Sequence, residues 1–175
     1  MTILQTERLI LRPAREDDLD GLHAILSDAR ATRYWSTPPH HTLDLTREWL
    51  ASMIASPPGA GADFIIEQRG ESGGRVIGKT GFYRFPDVGF ILLPEVWGRG
   101  FAREALGAVL ARAFTAHRLP QVTADVDPRN DASLGLLESF GFRRTGYRER
   151  SWLIGEEWCD SVDLALDAKD WRGAD

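Results

Sequence analysis

The chain has 175 residues, a balanced content of apolar and charged side chains, and a formal net charge of −5. This composition is typical of a folded domain rather than a disordered chain, and its acidic balance gives no footprint for nucleic acid. No apolar run approaches the roughly 20 residues that span a bilayer, and Cys159, the only cysteine, excludes an internal disulfide and a thiolate metal cage.

These limits predict a cytoplasmic protein that binds neither nucleic acid nor membrane. Residues 1–13 lack the apolar core of a signal peptide, and the sequence shows no internal repeat or linker. We therefore expect a single domain over residues 1–175, with a C-terminal tail from about residue 168.

The first half of the chain predicts a strand, two helices and three more strands. The run TERLILRP at residues 6–13 favours a strand that ends at its proline. Acidic residues at 16–18 favour the start of a helix. A second amphipathic helix, with Trp49 on its apolar stripe, ends at the Pro-Pro-Gly of residues 57–59. Strand-like runs then cover residues 63–68, 75–85 and 88–93, with a turn at 70–74.

The second half predicts helices that alternate with strands. In order they are a long helix from near Gly100, a strand at 122–126, a helix at 131–140 closed by Gly141, and strands at 147–153 and 162–166. The order of all these elements predicts an α/β (α+β) fold. We expect one mixed central sheet of about seven strands, flanked by about four helices.

A glycine-rich junction between a buried strand and the long helix is the first functional signal. The apolar run 88–93 is typical of a central strand, Pro94 ends it, and Trp-Gly-Arg-Gly-Phe-Ala at 97–102 leads into the helix. Glycines let the backbone approach a bulky group, and the free N–H groups and dipole of a helix start attract anions. The junction therefore favours a pyrophosphate cradle, to which Arg99 and Arg103 add charge. A turn that only lets a strand enter a helix would have the same local sequence.

A second glycine pattern, GGRVIGKT at residues 73–80, matches the P-loop signature but lacks its context. That motif needs a strand before it and a helix after its Lys-Thr pair. Here the aromatic run GFYRF at 81–85 follows, which favours a strand. We therefore predict no NTPase function, and the histidines, which lack zinc-ligand spacing, predict no metal site.

The helix that begins after Asn130 turns these separate signals into a pattern. Asn130 is a good N-cap, and Ser133 is unremarkable in the first turn of a helix, so neither residue indicates a function by itself. Together with the junction they make the chain similar to the GNAT family of N-acetyltransferases, and specifically to its ribosomal-protein alanine acetyltransferase (RimJ/RimL-like) group. The resemblance covers nearly the whole chain and rests on residues 6–12, 89–92, 94–95, 97–102, 104–105, 130, 133 and 141–142.

The resemblance implies a GNAT fold whose middle strands splay apart, acetyl-CoA as the acetyl donor, and no metal. It implies that backbone amides from Gly98 to Arg103 hold the pyrophosphate, and that Asn130 and the splayed strand bind the pantetheine arm. The cofactor-binding residues are then Ile91, Leu92, Leu93, Trp97, Gly98, Arg99, Gly100, Phe101, Ala102, Arg103, Asn130 and Ser133.

Catalysis needs a stabilised oxyanion and an acid for the leaving thiolate. A backbone N–H near Leu92 or Leu93 is the natural oxyanion donor. Many family members carry a tyrosine in the last helix as the acid, and Leu137 stands at that position here. The resemblance assigns this role to Ser133 instead.

The base that takes the proton of the amine is less defined. Glu95 follows the strand, next to the predicted cradle, and Asp87 lies at the start of the strand. We expect one of them, or a water that relays the proton, to act as the base, and we prefer Glu95 because the matching position of the resembled group is sometimes acidic. Asp125 and Asp127 are further candidates. Glu95 could equally be a solvated loop carboxylate, and Asp127, which precedes a proline, a turn residue.

Three tryptophans are candidates for binding the acceptor. In the resembled fold the acceptor groove is framed by the connection between the first two helices, which carries Trp35, and by the last hairpin, which carries Trp152 and Trp158. Ordinary core or hairpin packing explains the same residues, because aromatic side chains favour strands.

The sequence thus predicts an enzyme that transfers the acetyl group of acetyl-CoA to a primary amine by direct attack in a ternary complex. The α-amino group of a protein or peptide is the favoured acceptor, and a small amine, such as a polyamine, amino acid or drug, is the alternative. A non-catalytic CoA-binding sensor is the alternative from another class, because Leu137 replaces the usual acid. We expect a monomer or a homodimer.

Overall fold

The fold is built on one mixed sheet, and the computed structural model describes residues 2–57, 59–70 and 74–173. Its strands are β1 (Leu4–Gln5), β2 (Leu9–Arg12), β3 (Ala62–Gln68), β4 (Arg75–Arg84), β5 (Asp87–Leu92), β6 (Gln121–Val126), β7 (Arg143–Ile154) and β8 (Glu157–Asp167). Its helices are α1 (Leu19–Leu26), α2 (Leu43–Ile54), α3 (Phe101–Thr115) and α4 (Asp131–Ser139). The strand order in the sheet is β1-β2-β3-β4-β5-β6-β8-β7.

The pairing of the strands leaves an opening in the middle of the sheet. All neighbouring strands pair antiparallel except β5 and β6, which run parallel. The register of this parallel contact contains one pair, Asp87 with Thr123, at the start of β5. The carboxyl half of β5 is therefore not paired with β6. This confirms the predicted splay of the middle strands.

Capping residues and glycines set the ends of the helices. The side-chain oxygens of Thr42 and Asn130 accept hydrogen bonds from N–H groups in the first turns of α2 and α4. Helix α4 is followed by Gly141 at φ +94°, as predicted for a C-terminal cap. Helix α3 is different, because it begins at Gly100 with no side-chain cap. Its first N–H groups are therefore available to a ligand.

The helices pack closely on the sheet. Helix α1 contacts α2 and β4, while α3 crosses β2, β4, β5 and β6. The approach of α1 is so close that a Cβ at Gly21 would lie 2.7 Å from Cβ of Val76. Among the described residues, no helix combines the length and apolarity that crossing a membrane requires.

Local differences from the predicted elements have physical reasons. The predicted strand at residues 6–13 is shortened to β2, and β1 lies before it. Thr6 Oγ1 and the backbone N–H of Arg8 donate to the carboxylate of Glu104 on α3 and so leave the strand pairing between β1 and β2. Strand β7 is longer than predicted, and its side chains are mostly exposed, so its sequence lacks an apolar pattern. The described part of GGRVIGKT lies mainly in β4, with a strand where a P-loop would need a helix.

Some predicted features fall partly outside the described residues. These are the helix end at 57–59, which includes Pro58, the turn at 70–74, which includes residues 71–73, and the last two residues of the predicted tail. Residues Ala168–Asp170 form a 3₁₀ turn. The ring of Trp171 then packs against Phe114 and Phe140, with centroids 5.6 and 6.1 Å away.

Candidate active site

A cavity of about 730 Å³ opens where β5 separates from β6. One wall comes from the connection between α1 and α2, the floor from β5, and the other wall from the starts of α3 and α4. The lining residues are Arg30, Ala31, Arg33, Tyr34 and Trp35; Phe90, Ile91 and Leu92; Val96, Trp97, Gly98, Gly100, Phe101, Ala102 and Arg103; and Asn130, Ala132, Ser133 and Leu136.

The cavity brings together all the predicted cofactor-binding residues except Leu93 and Arg99. The N–H of Leu93 donates to the carbonyl of Ile77 on β4 at 2.9 Å. Because hydrogen-bonded pairs alternate along an antiparallel ladder, the backbone N–H of Leu92 points away from β4, toward the opening. Leu92 is thus the better placed of the two candidate oxyanion donors. Its carbonyl accepts from Nε1 of Trp97 at 3.0 Å.

The junction before α3 has the geometry of an anion cradle. Gly98 and Gly100 have φ values of +69° and +80°, in the left-handed region that favours glycine. A Cβ at Gly98 would meet no atom within 4 Å, so a ligand can approach this backbone closely. The uncapped start of α3 adds free N–H groups and the positive end of the helix dipole. Arg103 supplies a formal positive charge to the same wall.

A residue that the sequence analysis missed braces this cradle. The Arg8 side chain donates through Nε to Glu104 at 2.7 Å and through Nη1 to the carbonyl of Arg99 at 2.9 Å. Its guanidinium also lies 4.4 Å from the ring centroid of Phe101. Burial raises the pKa of Glu104, but hydrogen bonds from Thr6 and Arg8 outweigh it and lower the pKa below its usual value. The opening strand therefore anchors the first turn of α3 with an ionised carboxylate.

The start of α4 supplies two polar groups to the cavity. Asn130 Oδ1 accepts from the backbone N–H of Ser133 at 3.1 Å, which leaves the amide NH₂ of Asn130 as a donor. Ser133 lies on the first turn and lines the cavity. Leu137, one turn further on, is 1% exposed and belongs to the core.

The candidate bases lie outside the cavity lining. Glu95 forms an exposed ion pair with Arg75, with 2.6 Å between Oε2 and Nη2. Asp87 lies at the far end of β5 and accepts a hydrogen bond from Thr123. Asp125 accepts from Arg148 at 2.7 Å. Among the described residues that line the cavity, none is an aspartate or a glutamate.

Asp127 is held in its ionised form. Burial raises its pKa, but two hydrogen bonds from the guanidinium of Arg129, at 2.9 and 2.6 Å, outweigh burial and lower it. Arg129 also pairs with Glu157 at 2.7 Å, and its guanidinium lies 5.7 Å from the ring centroid of Tyr34. Asp127 and Glu157 therefore share one guanidinium.

The three candidate tryptophans occupy different positions. Trp35 lines the cavity. Trp152 and Trp158 are about half exposed on the β7–β8 hairpin, where Nε1 of Trp152 donates to Asp125 at 2.8 Å. The hairpin turn does approach the α1–α2 connection, because a Cβ at Gly155 would lie 3.6 Å from Pro38.

Known proteins share this architecture. The model of the acetyltransferase (GNAT) domain matches residues 8–143, which is most of the chain. The chain belongs to the GNAT acetyltransferase family. It is thus an acyl-CoA-dependent N-acetyltransferase, which disfavours the non-catalytic sensor.

Individual relatives support the assignment. The uncharacterized N-acetyltransferase YoaA of Bacillus subtilis is 30% identical over 151 residues, which cover 82% of this chain and 84% of that protein. A GNAT-family acetyltransferase structure from Bacillus anthracis superposes with a TM-score of 0.83 at 25% identity, covering 96% of this chain and 99% of that one. The spermidine N-acetyltransferase from Vibrio cholerae, solved in complex with CoA and spermine, superposes with a TM-score of 0.79 at 22% identity, covering 94% and 98%.

Proposed function

We propose that this N-acetyltransferase transfers the acetyl group of acetyl-CoA to the α-amino group of a peptide or small molecule, by direct attack in a ternary complex. The observation that carries the proposal is the charge of the cavity wall. Arg30 and Arg33 contribute to the wall beside Tyr34 and Trp35, and the described lining contains no carboxylate. Arg30 is paired with Asp28 outside the lining, with 2.6 Å between Nη2 and Oδ2, so Arg33 is the arginine of this wall that gives it positive charge. Such a wall suits an acceptor with one amine and a nearby anionic or polar group.

The cradle fits the proposed donor. An uncapped helix start, two left-handed glycines and Arg103 match a pyrophosphate, and the free edge of β5 offers backbone groups to an extended arm. Acetyl-CoA, when bound, supplies an acetyl group activated as a thioester. The backbone N–H of Leu92 would stabilise negative charge on the carbonyl oxygen, and the hydroxyl of Ser133 would donate a proton to the departing thiolate.

The lack of a lining carboxylate favours an easily deprotonated amine. An α-amino group has an unperturbed pKa near 8, and a lysine side chain near 10.4. Freeing the base form at neutral pH costs about 1.4 kcal/mol for the first and roughly 4.6 kcal/mol for the second. Water that relays a proton toward Glu95 or Asp87 can assist the first more readily than the second.

A small polyamine is the second candidate, because one structural relative is a spermidine N-acetyltransferase. The face of the sheet beside the cavity carries three carboxylates, on Asp87, Asp125 and Asp163, which cross-strand pairing places on one side. Arg148 already pairs with Asp125 and Asp163 at 2.7 Å each. One guanidinium offsets only one of the three negative charges, so the charge that remains on this face is what a polyamine would use.

Competitive acetylation tests the proposal. A peptide with a free N-terminal alanine and one internal lysine is mixed with spermidine and limiting acetyl-CoA, and the acetylated sites are mapped by mass spectrometry. The same peptide with a blocked N-terminus is the control. We expect acetate on the α-amino group of the free peptide and little on the blocked one. Acetate mainly on the lysine or on spermidine would contradict the proposal, and the second result would establish the polyamine alternative.

A further inference from the structure

The buried residue Lys79 takes no part in the cofactor cradle, although it belongs to the sequence that resembles a P-loop. It lies within β4 and is 4% exposed. Lys79 pairs with Ile91 of β5, and side chains paired across a sheet share a face. The ammonium therefore lies on the face of the sheet that Gly89 and Ile91 also share.

The ammonium forms a buried ion pair with a neighbouring strand. Nζ donates to Oδ2 of Asp63 on β3 at 2.8 Å. The other carboxylate oxygen, Oδ1, is buried and has no hydrogen-bond partner among the described residues. Buried ion pairs are a weak source of stability, because desolvation offsets the attraction and apolar residues of similar volume often do as well. Stability alone therefore does not account for this pair.

The same ammonium faces two indole rings. Nζ lies 5.6 Å from the ring centroid of Trp35 and 5.4 Å from that of Trp49 on α2. Both distances are within the ~6 Å range of cation–π attraction, which is strongest for tryptophan and at desolvated sites. Lys79 thus links β4 to α2 and to the connection between α1 and α2.

Trp35 is the one of these two indoles that borders the cavity. A Cβ at Gly89 would lie 3.9 Å from its Cη2 atom. Its Nε1–H is buried without a hydrogen-bond partner among the described residues. The indole nitrogens of Trp97 and Trp152, by comparison, donate to oxygen atoms at 3.0 and 2.8 Å. Hydrogen bonds thus orient the rings of Trp97 and Trp152. The ring of Trp35 has no such bond to any described residue, so it is oriented by packing and by its contact with the Lys79 ammonium.

We propose that Lys79 is a positioning residue for acetyl transfer, whose ammonium holds the Trp35 indole over β5 and so shapes the acceptor side of the cavity. Asp63 neutralises the ammonium and fixes its place. The inference rests on the proposed function, because it assigns acceptor binding to the wall that contains Trp35. Loss of the cation should weaken acceptor binding and leave the cofactor cradle intact.

The test compares an uncharged pair with a conservative cation. The double variant Lys79→Met/Asp63→Asn removes both charges with little change of shape, which avoids an unpaired buried carboxylate. Lys79→Arg keeps a cation near both rings, and Lys169→Met, at an exposed lysine, is the matched control. We expect the KM for the peptide with a free N-terminal alanine to rise about tenfold in the double variant, with kcat and the acetyl-CoA KM little changed. Lys79→Arg should restore most of the acceptor affinity.

A measurement on Trp35 itself makes the test independent of the acceptor. Acrylamide quenching of tryptophan fluorescence, taken as the difference between each protein and its Trp35→Phe counterpart, reports the exposure of this indole. We expect stronger quenching in the double variant than in wild type, Lys79→Arg or Lys169→Met. Unchanged quenching, or an unchanged acceptor KM in a folded double variant, overturns the inference. If wild type acetylates no amine, the proposed function fails, and the quenching still decides the role of Lys79.

Discussion

The wall of the cavity at residues 96–103 contains two left-handed glycines and the uncapped start of α3, whereas the opposite wall, at residues 30–35, carries aromatic and cationic side chains that contact distant elements. We call these the cofactor wall and the acceptor wall. The cofactor wall depends on two left-handed glycines and an uncapped helix start. The acceptor wall depends on contacts of its aromatic rings with Lys79 of β4 and with Arg129 of the β6–α4 connection.

The difference reflects what each wall has to recognise. A backbone cradle binds the same pyrophosphate whatever the side chains around it, so its geometry can be kept while the rest of the surface changes. A wall of side chains can change its acceptor through single substitutions. Two relatives with the same fold can therefore share a donor and differ in their acceptors.

The largest expected effect comes from removing the proposed acid for the leaving thiolate, which lies between the two walls. In Ser133→Ala we expect kcat to fall about 10²- to 10⁴-fold, the usual contribution of general acid catalysis, with a smaller effect on acetyl-CoA binding. Ser52→Ala, at an exposed serine on α2, is the control. Steady-state kinetics measure both. A normal kcat in Ser133→Ala would assign the proton to water and leave Ser133 as a residue of the first turn of α4.

A smaller expected effect is a pH dependence of stability caused by His40, which ties the connection carrying the acceptor wall to α1 and α2. Nδ1 of His40 lies 3.0 Å from Oγ1 of Thr46 on α2, and its backbone N–H donates to the carbonyl of Leu26 at the end of α1. Burial, together with the charges of His23 and His41, lowers the pKa of His40 below its ordinary 6.5. The unfolded chain therefore binds more protons than the folded chain when the pH falls below 6.5.

The buried, neutral imidazole of His40 contributes fully to the free energy of unfolding above about pH 6.5. As the pH falls below that value, this contribution is lost by at most about 1.4 kcal/mol per pH unit. Denaturant unfolding at a series of pH values measures the loss. We expect His40→Asn to flatten this pH dependence, while His41→Asn, at an exposed position whose charge is the smallest cause of the shift, should change it much less. Equal slopes in wild type and His40→Asn would contradict the role of His40.

The two walls also differ in how far the sequence predicts them. The cofactor wall could be predicted because its glycines, its strand and its helix start are contiguous, and their backbone geometry follows from residue type. Two details could not be predicted: the brace by Arg8, which is 96 residues from Glu104, and the commitment of the Leu93 N–H to β4. Both depend on which strands and helices become neighbours.

The acceptor wall was predicted only through Trp35. Arg30, Arg33 and Tyr34 carry no local signal, because charged and aromatic residues in a loop are usually solvated. Lys79 belongs to a sequence that resembles a phosphate-binding motif, and only the register of β3, β4 and β5 reveals that it is buried. The predicted general bases, Glu95 and Asp87, remain predictions, and their positions outside the lining could not be derived from spacing.

The central claim is that one wall binds acetyl-CoA and the other binds the acceptor. Its direct test is to measure the KM for acetyl-CoA and the KM for the acceptor in two variants. Gly98→Ala places a Cβ in the cradle, and Gly59→Ala is its matched control, since both glycines have a positive φ and open space around a Cβ. Trp35→Leu removes the indole from the acceptor wall. We expect Gly98→Ala to raise the acetyl-CoA KM about tenfold or more, which corresponds to about 1.4 kcal/mol or more, and Trp35→Leu to raise only the acceptor KM. If both variants raise the same KM, or each raises both KM values equally, the two-wall account is wrong.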